Sequence, residues 1–177
     1  MRLQLILQVL KGRPIILIID DTGDRKKGNT TDYVKGQYIG NLENVENGIV
    51  AVTAYGVFCG ITFPLLFEAY KPRERLKPED KSLTKSQIAA MLIKKLQLMG
   101  FNFNLVLADS LYGESGTNFI PILDELGLNY LVAIRSNHFV ELLPRQQTQY
   151  IKWHTFKVVF SELSSEKRFI REIIHGK

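Results

Sequence analysis

Residues 17–23 read LIIDDTG. An apolar run meets two adjacent carboxylates. Leu17, Ile18 and Ile19 call for a protein interior, whereas Asp20 and Asp21 call for a partner or for water. With Pro14 opening it, PIILIID (14–20) reads as a short, fully buried strand that ends in acid. A second segment repeats the arrangement. FNLVLAD (103–109) is another buried strand closing on Asp109.

Between and around these strands the chain alternates elements. Residues 22–48 are rich in Gly, Asn, Thr and charge, and they read as a long loop with one short strand near Tyr33. Residues 48–70 read as two strands turning near Cys59–Gly60. Residues 71–83, with Pro72 and Pro78, read as a surface loop. Thr84 caps a helix running to about Met99 and ended by Gly100. Ile88, Met91, Leu92, Leu96 and Met99 give that helix one apolar face. Asn118 is the expected cap of a second helix, with Pro121 in its first turn and Gly127 at its end. NYLVAI (129–134) is a further strand, and 154–161 with 167–174 suggest a hairpin. The opening MRLQLILQVL reads as the tail of a helix. The order of strand, hairpin, helix, strand, helix, strand predicts an α/β fold with a mixed sheet flanked by helices.

Composition narrows the classes. The 177 residues suit one domain with a real core, and 45% hydrophobic against 23% charged residues is a globular balance. The single Cys59, set beside Phe58 and Val57, reads as a small buried hydrophobe and fits a reducing cytoplasm. No apolar run approaches the ~18 residues that a membrane span needs. The net charge of +5 is a modest bias towards nucleic acid. It is concentrated in Arg25, Lys26 and Lys27 behind the acid pair, in 71–77, and in 167–171.

If the two acidic strands run side by side in one direction, Asp20 or Asp21 approaches Asp109. Carboxylates that close repel, and one takes up a proton unless a cation intervenes. Mg²⁺ suits such a site, because it binds one or two carboxylates and completes its shell with water and phosphate oxygens. The chemistry implied is phosphoryl transfer on a nucleic-acid backbone. The residues alone leave a second reading open: Asp after a strand is also a common turn starter that binds its own backbone.

IIDDTGDRKKG (18–28), KGQYIGNLENVENGIVAVTAYG (35–56), LVLADSLYGESG (105–116) and LVAIRSNH (131–138) together resemble insertion-sequence transposases of the DDE type, in the group with a DDTG-x-x-KKG signature. The resemblance covers nearly all the chain from Pro14 to Lys177. It implies an RNase H-like fold and Mg²⁺-dependent cutting and joining of transposon-end DNA, with Mn²⁺ as a substitute ion. Asp20, with Asp21 as the close alternative, matches the first catalytic Asp, and Asp109 matches the second. Asp20 and Asp109 are then the expected metal ligands. The third acid, a Glu on a later helix, should follow a β-rich insertion whose start is the 154–174 hairpin. Glu162, Glu166 and Glu172 lie too early for that role.

The domains expected are a helix remnant or linker at 1–13, a partial catalytic core at 14–150 and the start of the insertion at 151–177. The chain is thus expected to be a truncated catalytic domain, inactive alone, with DNA ends and target DNA as partners and a homo-oligomer in the full-length protein. The alternative is a DNA-binding or assembly-only remnant without catalysis.

Arg25, Lys26 and Lys27 are candidates for phosphate contacts, or else a solvated loop. Arg135, Asn137 and His138 follow a strand of the same sheet, as a DNA contact or a structural turn. Trp153 and Tyr150 offer base stacking or packing of the insertion. Tyr112 and Gly113 are read as shaping the turn after Asp109. His154 and His175 have no metal-ligand spacing, and no His or Asp arrangement supports Ser115 as a nucleophile. Asp21-Thr22-Gly23 also looks like an aspartic-protease loop, but there is one copy in a strand–helix context. A phosphatase would usually need Asp-x-Asp.

Overall fold

The computed structural model describes residues 2–28, 30–42 and 44–135, together with strand pairing at 156–157 and 167–168. The chain divides into two units, Met1–Ile134 and Arg135–Lys177. In the first, helix α1 (Arg2–Leu10) precedes strand β1 (Ile15–Arg25), followed by β2 (Lys35–Ile39), β3 (Asn44–Phe58) and β4 (Ile61–Ala69). Helix α2 (Lys85–Leu98), strand β5 (Phe103–Ala108), the single turn α3 (Ser110–Gly113), helix α4 (Ile120–Glu125) and strand β6 (Tyr130–Val132) complete it. In the second unit, β7 (Phe156–Lys157) and β8 (Lys167–Arg168) pair antiparallel, inside the hairpin expected there. The rest of that hairpin lies outside the described residues.

The sheet runs β2-β3-β1-β5-β6, with β4 on β3. β1 pairs antiparallel with β3 and parallel with β5, and β5 pairs parallel with β6. Each parallel step crosses through helical chain, as the geometry of such a connection requires. This is the mixed α/β sheet flanked by helices that the sequence implied, consistent with the RNase H-like fold. Ile15, Leu17 and Ile19 are buried on one face of β1, and Val106 of β5 lies opposite Leu17. Ile88, Leu92 and Leu96 of α2 join the same core, while Met91 and Met99 are partly exposed. α2 begins with a full capping box: Thr84 Oγ1 accepts from the Gln87 N–H, and Gln87 Oε1 accepts from the Thr84 N–H.

Four expectations need correction. β1 does not stop at Asp20 but continues to Arg25, so the acids lie inside a strand. Residues 22–48 are accordingly not one long loop. They hold the end of β1, all of β2 and the start of β3, because Asp21–Arg25 pair with Gly48–Val52 and Lys35–Ile39 pair with Asn44–Gly48. Gly23 and Gly48 serve a tightly packed ladder. A Cβ on Gly23 would come within 2.6 Å of Ile39 Cγ2. Cys59 is exposed, not buried; it occupies the β3–β4 turn at φ +49°, where the chain reverses. The α4 cap is Phe119, with no side-chain cap bond, because the Asn118 amide is turned to Thr117 Oγ1 and Gln87 Nε2.

Candidate metal and DNA site

The parallel ladder between β1 and β5 ends at Ile19 opposite Ala108. One residue further, both strands present acid: Asp20 on β1 and Asp109 as β5 gives way to α3. β1 then outlasts β5. Side chains alternate along a strand, so Asp21 follows the buried face of Leu17 and Ile19, and Asp20 follows the face of Ile16 and Ile18.

The three carboxylates have different surroundings. Asp109 caps α3, its Oδ1 accepting from the Leu111 N–H at 3.0 Å. This is the turn-starting role that the sequence left open, and the carboxyl fills it while lying near the β1 acids. Its pKa is raised, first by burial and then by the charges of Asp20 and Asp21. Asp20 is exposed; its Oδ1 accepts from the Asp21 N–H at 2.8 Å, and its carbonyl accepts from Thr53 Oγ1 at 3.1 Å. Asp21 is paired with Lys85, the first residue of α2, and both side chains are about four-fifths buried.

Tyr112 lies beneath this group. It is fully buried against Phe119, with ring centroids 5.4 Å apart. Burial and the charges of Asp21, Asp109 and Asp20 push its phenol above the ordinary range, and its hydroxyl has no hydrogen-bond partner among the described residues. Gly113 explains how α3 sits so close to β6. A Cβ there would fall 2.0 Å from the Ala133 carbonyl oxygen.

Sequence reasoning did not anticipate Lys85 or the burial of Tyr112. Lys85 carries no motif, and only the fold brings it to Asp21 across 64 positions. Tyr112 stands three residues after an acidic strand end, a spacing that places it one turn along a helix capped by that acid.

The basic residues behave unequally. Arg25 pairs with Glu46 at 3.3 Å and Lys26 with Asp24 at 2.5 Å, while Lys27 is exposed and has no ion-pair partner among the described residues. Arg135 is exposed and opens the second unit. His138 and Asn137 lie outside the described residues, as do Tyr150, Trp153, His154, His175 and the three glutamates weighed above. A cavity of about 420 Å³ opens beside Thr22, Asp24, Lys26 and Thr53, and neither Asp20 nor Asp109 lines it.

The geometry agrees with what comparison shows. A family model described as DDE superfamily endonuclease matches residues 2–150. This chain belongs to that family. A curated relative, a probable transposase for insertion sequence element IS701 from Microchaete diplosiphon, is 76% identical over all 177 residues. The chain spans 47% of that relative's length. No solved structure gives a significant match. Membership of the DDE family agrees with the mixed α/β sheet flanked by helices. It excludes the aspartic-protease and phosphatase alternatives. Among the described residues no helix is long and apolar enough to cross a membrane. Among them, too, no group of three or more His, Cys, Asp or Glu is arranged to hold a metal ion.

Proposed function

We propose that this chain is part of a transposase catalytic domain, in which Asp20 and Asp109 hold a divalent cation, Mg²⁺ or Mn²⁺, against DNA. One observation carries the reading: Asp20 and Asp109 follow directly on the last rung, Ile19 opposite Ala108, of two neighbouring parallel strands, and the β1 acids with partial desolvation oppose the Asp109 charge. A divalent cation would relieve that opposition. The donor set fits a hard ion, since carboxylate oxygens suit Mg²⁺ and two are enough when water and phosphate complete the shell. Asp20 is proposed as the β1 ligand because it is next in register to Asp109 and is free of the Lys85 pairing.

When bound, the ion would polarise a phosphoryl oxygen and favour ionisation of an attacking hydroxyl or water. The protein's own part is positional. The α3 cap fixes one Asp109 oxygen through the Leu111 N–H, leaving the other for the ion. β1, paired with β3 on the side away from β5, holds Asp20 on a rigid ladder. Lys27 supplies an exposed charge for a DNA phosphate; Arg135 and His138 are proposed by sequence alone as further DNA contacts. The proposed domain limits remain 14–150 for the partial core and 151–177 for the insertion's start. In this reading the chain binds metal and DNA through these residues.

Asp109→Asn tests the site directly. Asn is as good a cap as Asp, so α3 survives. The raised Asp109 pKa means that ionisation costs the metal-free fold stability as pH rises through its titration. Asp109→Asn should therefore raise the metal-free Tm at neutral pH and abolish Mn²⁺ binding in calorimetry. Undiminished Mn²⁺ affinity in this variant would refute the site. Loss of binding in Asp21→Asn but not in Asp20→Asn would move the β1 ligand to Asp21. DNA binding that ignores metal in every variant would favour the assembly-only role.

A further inference from the structure

We propose that Lys85 is an internal counter-ion of the acid site, masking the charge of Asp21 and so setting how tightly Asp20 and Asp109 bind metal. The inference rests on the metal-site reading above. Its own foundation is geometric. Lys85 reaches from the start of α2 to the β1 acid pair, and its ammonium contacts the Asp21 carboxylate. The Lys85 stem is mostly buried, with Nζ 6.0 Å from the centroid of the Tyr70 ring. A lysine placed this way is no solvated surface charge.

Charge balance gives the role. Asp20, Asp21 and Asp109 stand against one ammonium at this site, which leaves two negative charges. One divalent ion neutralises them. Without Lys85 the charge of Asp21 would stand uncompensated beside the two ligands and add to the attraction for a cation there. Lys85 holds Asp21 by a single point-charge contact, so the masking rests on one ammonium. No other side-chain partner of Asp21 is found among the described residues. The arrangement reduces repulsion among the metal-free acids, and it holds metal affinity below what Asp20 and Asp109 would reach beside an unmasked Asp21.

The test is Mn²⁺ affinity of the full chain, measured by calorimetry, for the native protein and for Lys85→Met, Lys85→Arg and Lys85→Met/Asp21→Asn. Removing one positive charge a few ångströms from a divalent ion should tighten binding by about tenfold in partly solvated surroundings. Lys85→Arg keeps the charge and should bind like the native protein. The double variant should bind no more tightly than the native protein, because the gain runs through Asp21. Should Lys85→Met misfold by circular dichroism, Lys85→Gln takes its place. Native Mn²⁺ binding with no gain in Lys85→Met overturns this inference alone. So does a double variant as tight as Lys85→Met. Absence of Mn²⁺ binding in every form overturns both this inference and the metal site.

Discussion

Two aspartates in this chain each hold a lysine, and they are held very differently in return. Asp80, in the segment after β4, accepts from Lys71 Nζ at 2.5 Å, from the Lys77 N–H at 2.9 Å and from the Tyr33 hydroxyl at 3.2 Å. Its side chain is 4% exposed. Lys71 and Lys77 also lie over the Tyr33 ring, 5.0 and 5.8 Å from its centroid. The hydrogen bond from Lys71 chiefly, with the Lys77 N–H, brings the Asp80 carboxyl down to about 2. Asp21 has Lys85 alone. A carboxylate with three donors on it ties a loop down and has little left for a ligand. One with a single displaceable cation retains capacity for an incoming ion. Number of donors, rather than presence of a salt bridge, separates a structural acid from an available one.

The largest effect expected comes from a change that touches neither pair. Gly113→Ala would drive a Cβ into the Ala133 carbonyl, and backbone cannot yield as a side chain can. Chemical denaturation should show a loss of about 3 kcal/mol, the upper range for overpacking. Because α3 carries Asp109, Mn²⁺ affinity should fall too, while the Asp80 cluster stays intact. A variant with native stability would show that α3 and β6 are less tightly joined than the contact implies.

Asp80→Asn comes next. It should lower Tm at neutral pH and leave Mn²⁺ affinity unchanged, the reverse of the pattern expected at Asp109. The sign with pH follows from the depressed carboxyl. Its stabilisation is present above the ordinary value of 3.8 and disappears as pH falls towards about 2. Thermal scans between neutral pH and pH 2 should find native and Asp80→Asn proteins converging at the acid end. Curves separated by a constant gap would mean that the carboxylate's charge is not what matters.

The smallest change belongs to Asp21→Asn. Asn keeps an acceptor for the one ammonium that Asp21 holds, so the loss should stay below that of Asp80→Asn, which takes charge away from three donors. Lys94→Gln, which breaks the exposed Lys94–Glu125 pair at 3.3 Å, provides a baseline for an ion pair of no consequence. If Asp21→Asn destabilises more than Asp80→Asn, the ranking by donor number fails.

Much of this was legible in the chain itself. Apolar runs at 15–19 and 103–108, the Thr84 cap and the Gly100 stop located the core strands and α2 because each rests on local chemistry. The two acids of neighbouring strands followed from the same runs. What escaped was decided by partners distant in sequence. Nothing local says that Asp21–Arg25 will be stitched to β3, since polar residues in a ladder look like loop. Cys59 was misjudged because its apolar neighbours outweighed the demands of a two-residue reversal. Lys85 was invisible as a site residue, as its meaning depends wholly on where α2 docks.

Ile39 has a consequence for reading the DDTG signature itself. Its side chain occupies the space that Cβ atoms on both Gly23 and Gly48 would need, at 2.6 Å in each case, and Gly48 also faces the Asp24 carbonyl at 2.6 Å. The two glycines therefore differ in tolerance: trimming Ile39 could make room at 23, whereas at 48 the obstacle is main chain. Across relatives, position 23 should covary with 39 and position 48 should stay invariant. The glycine of that signature is then a record of steric fit between strands, and a match at that position speaks for architecture before it speaks for chemistry.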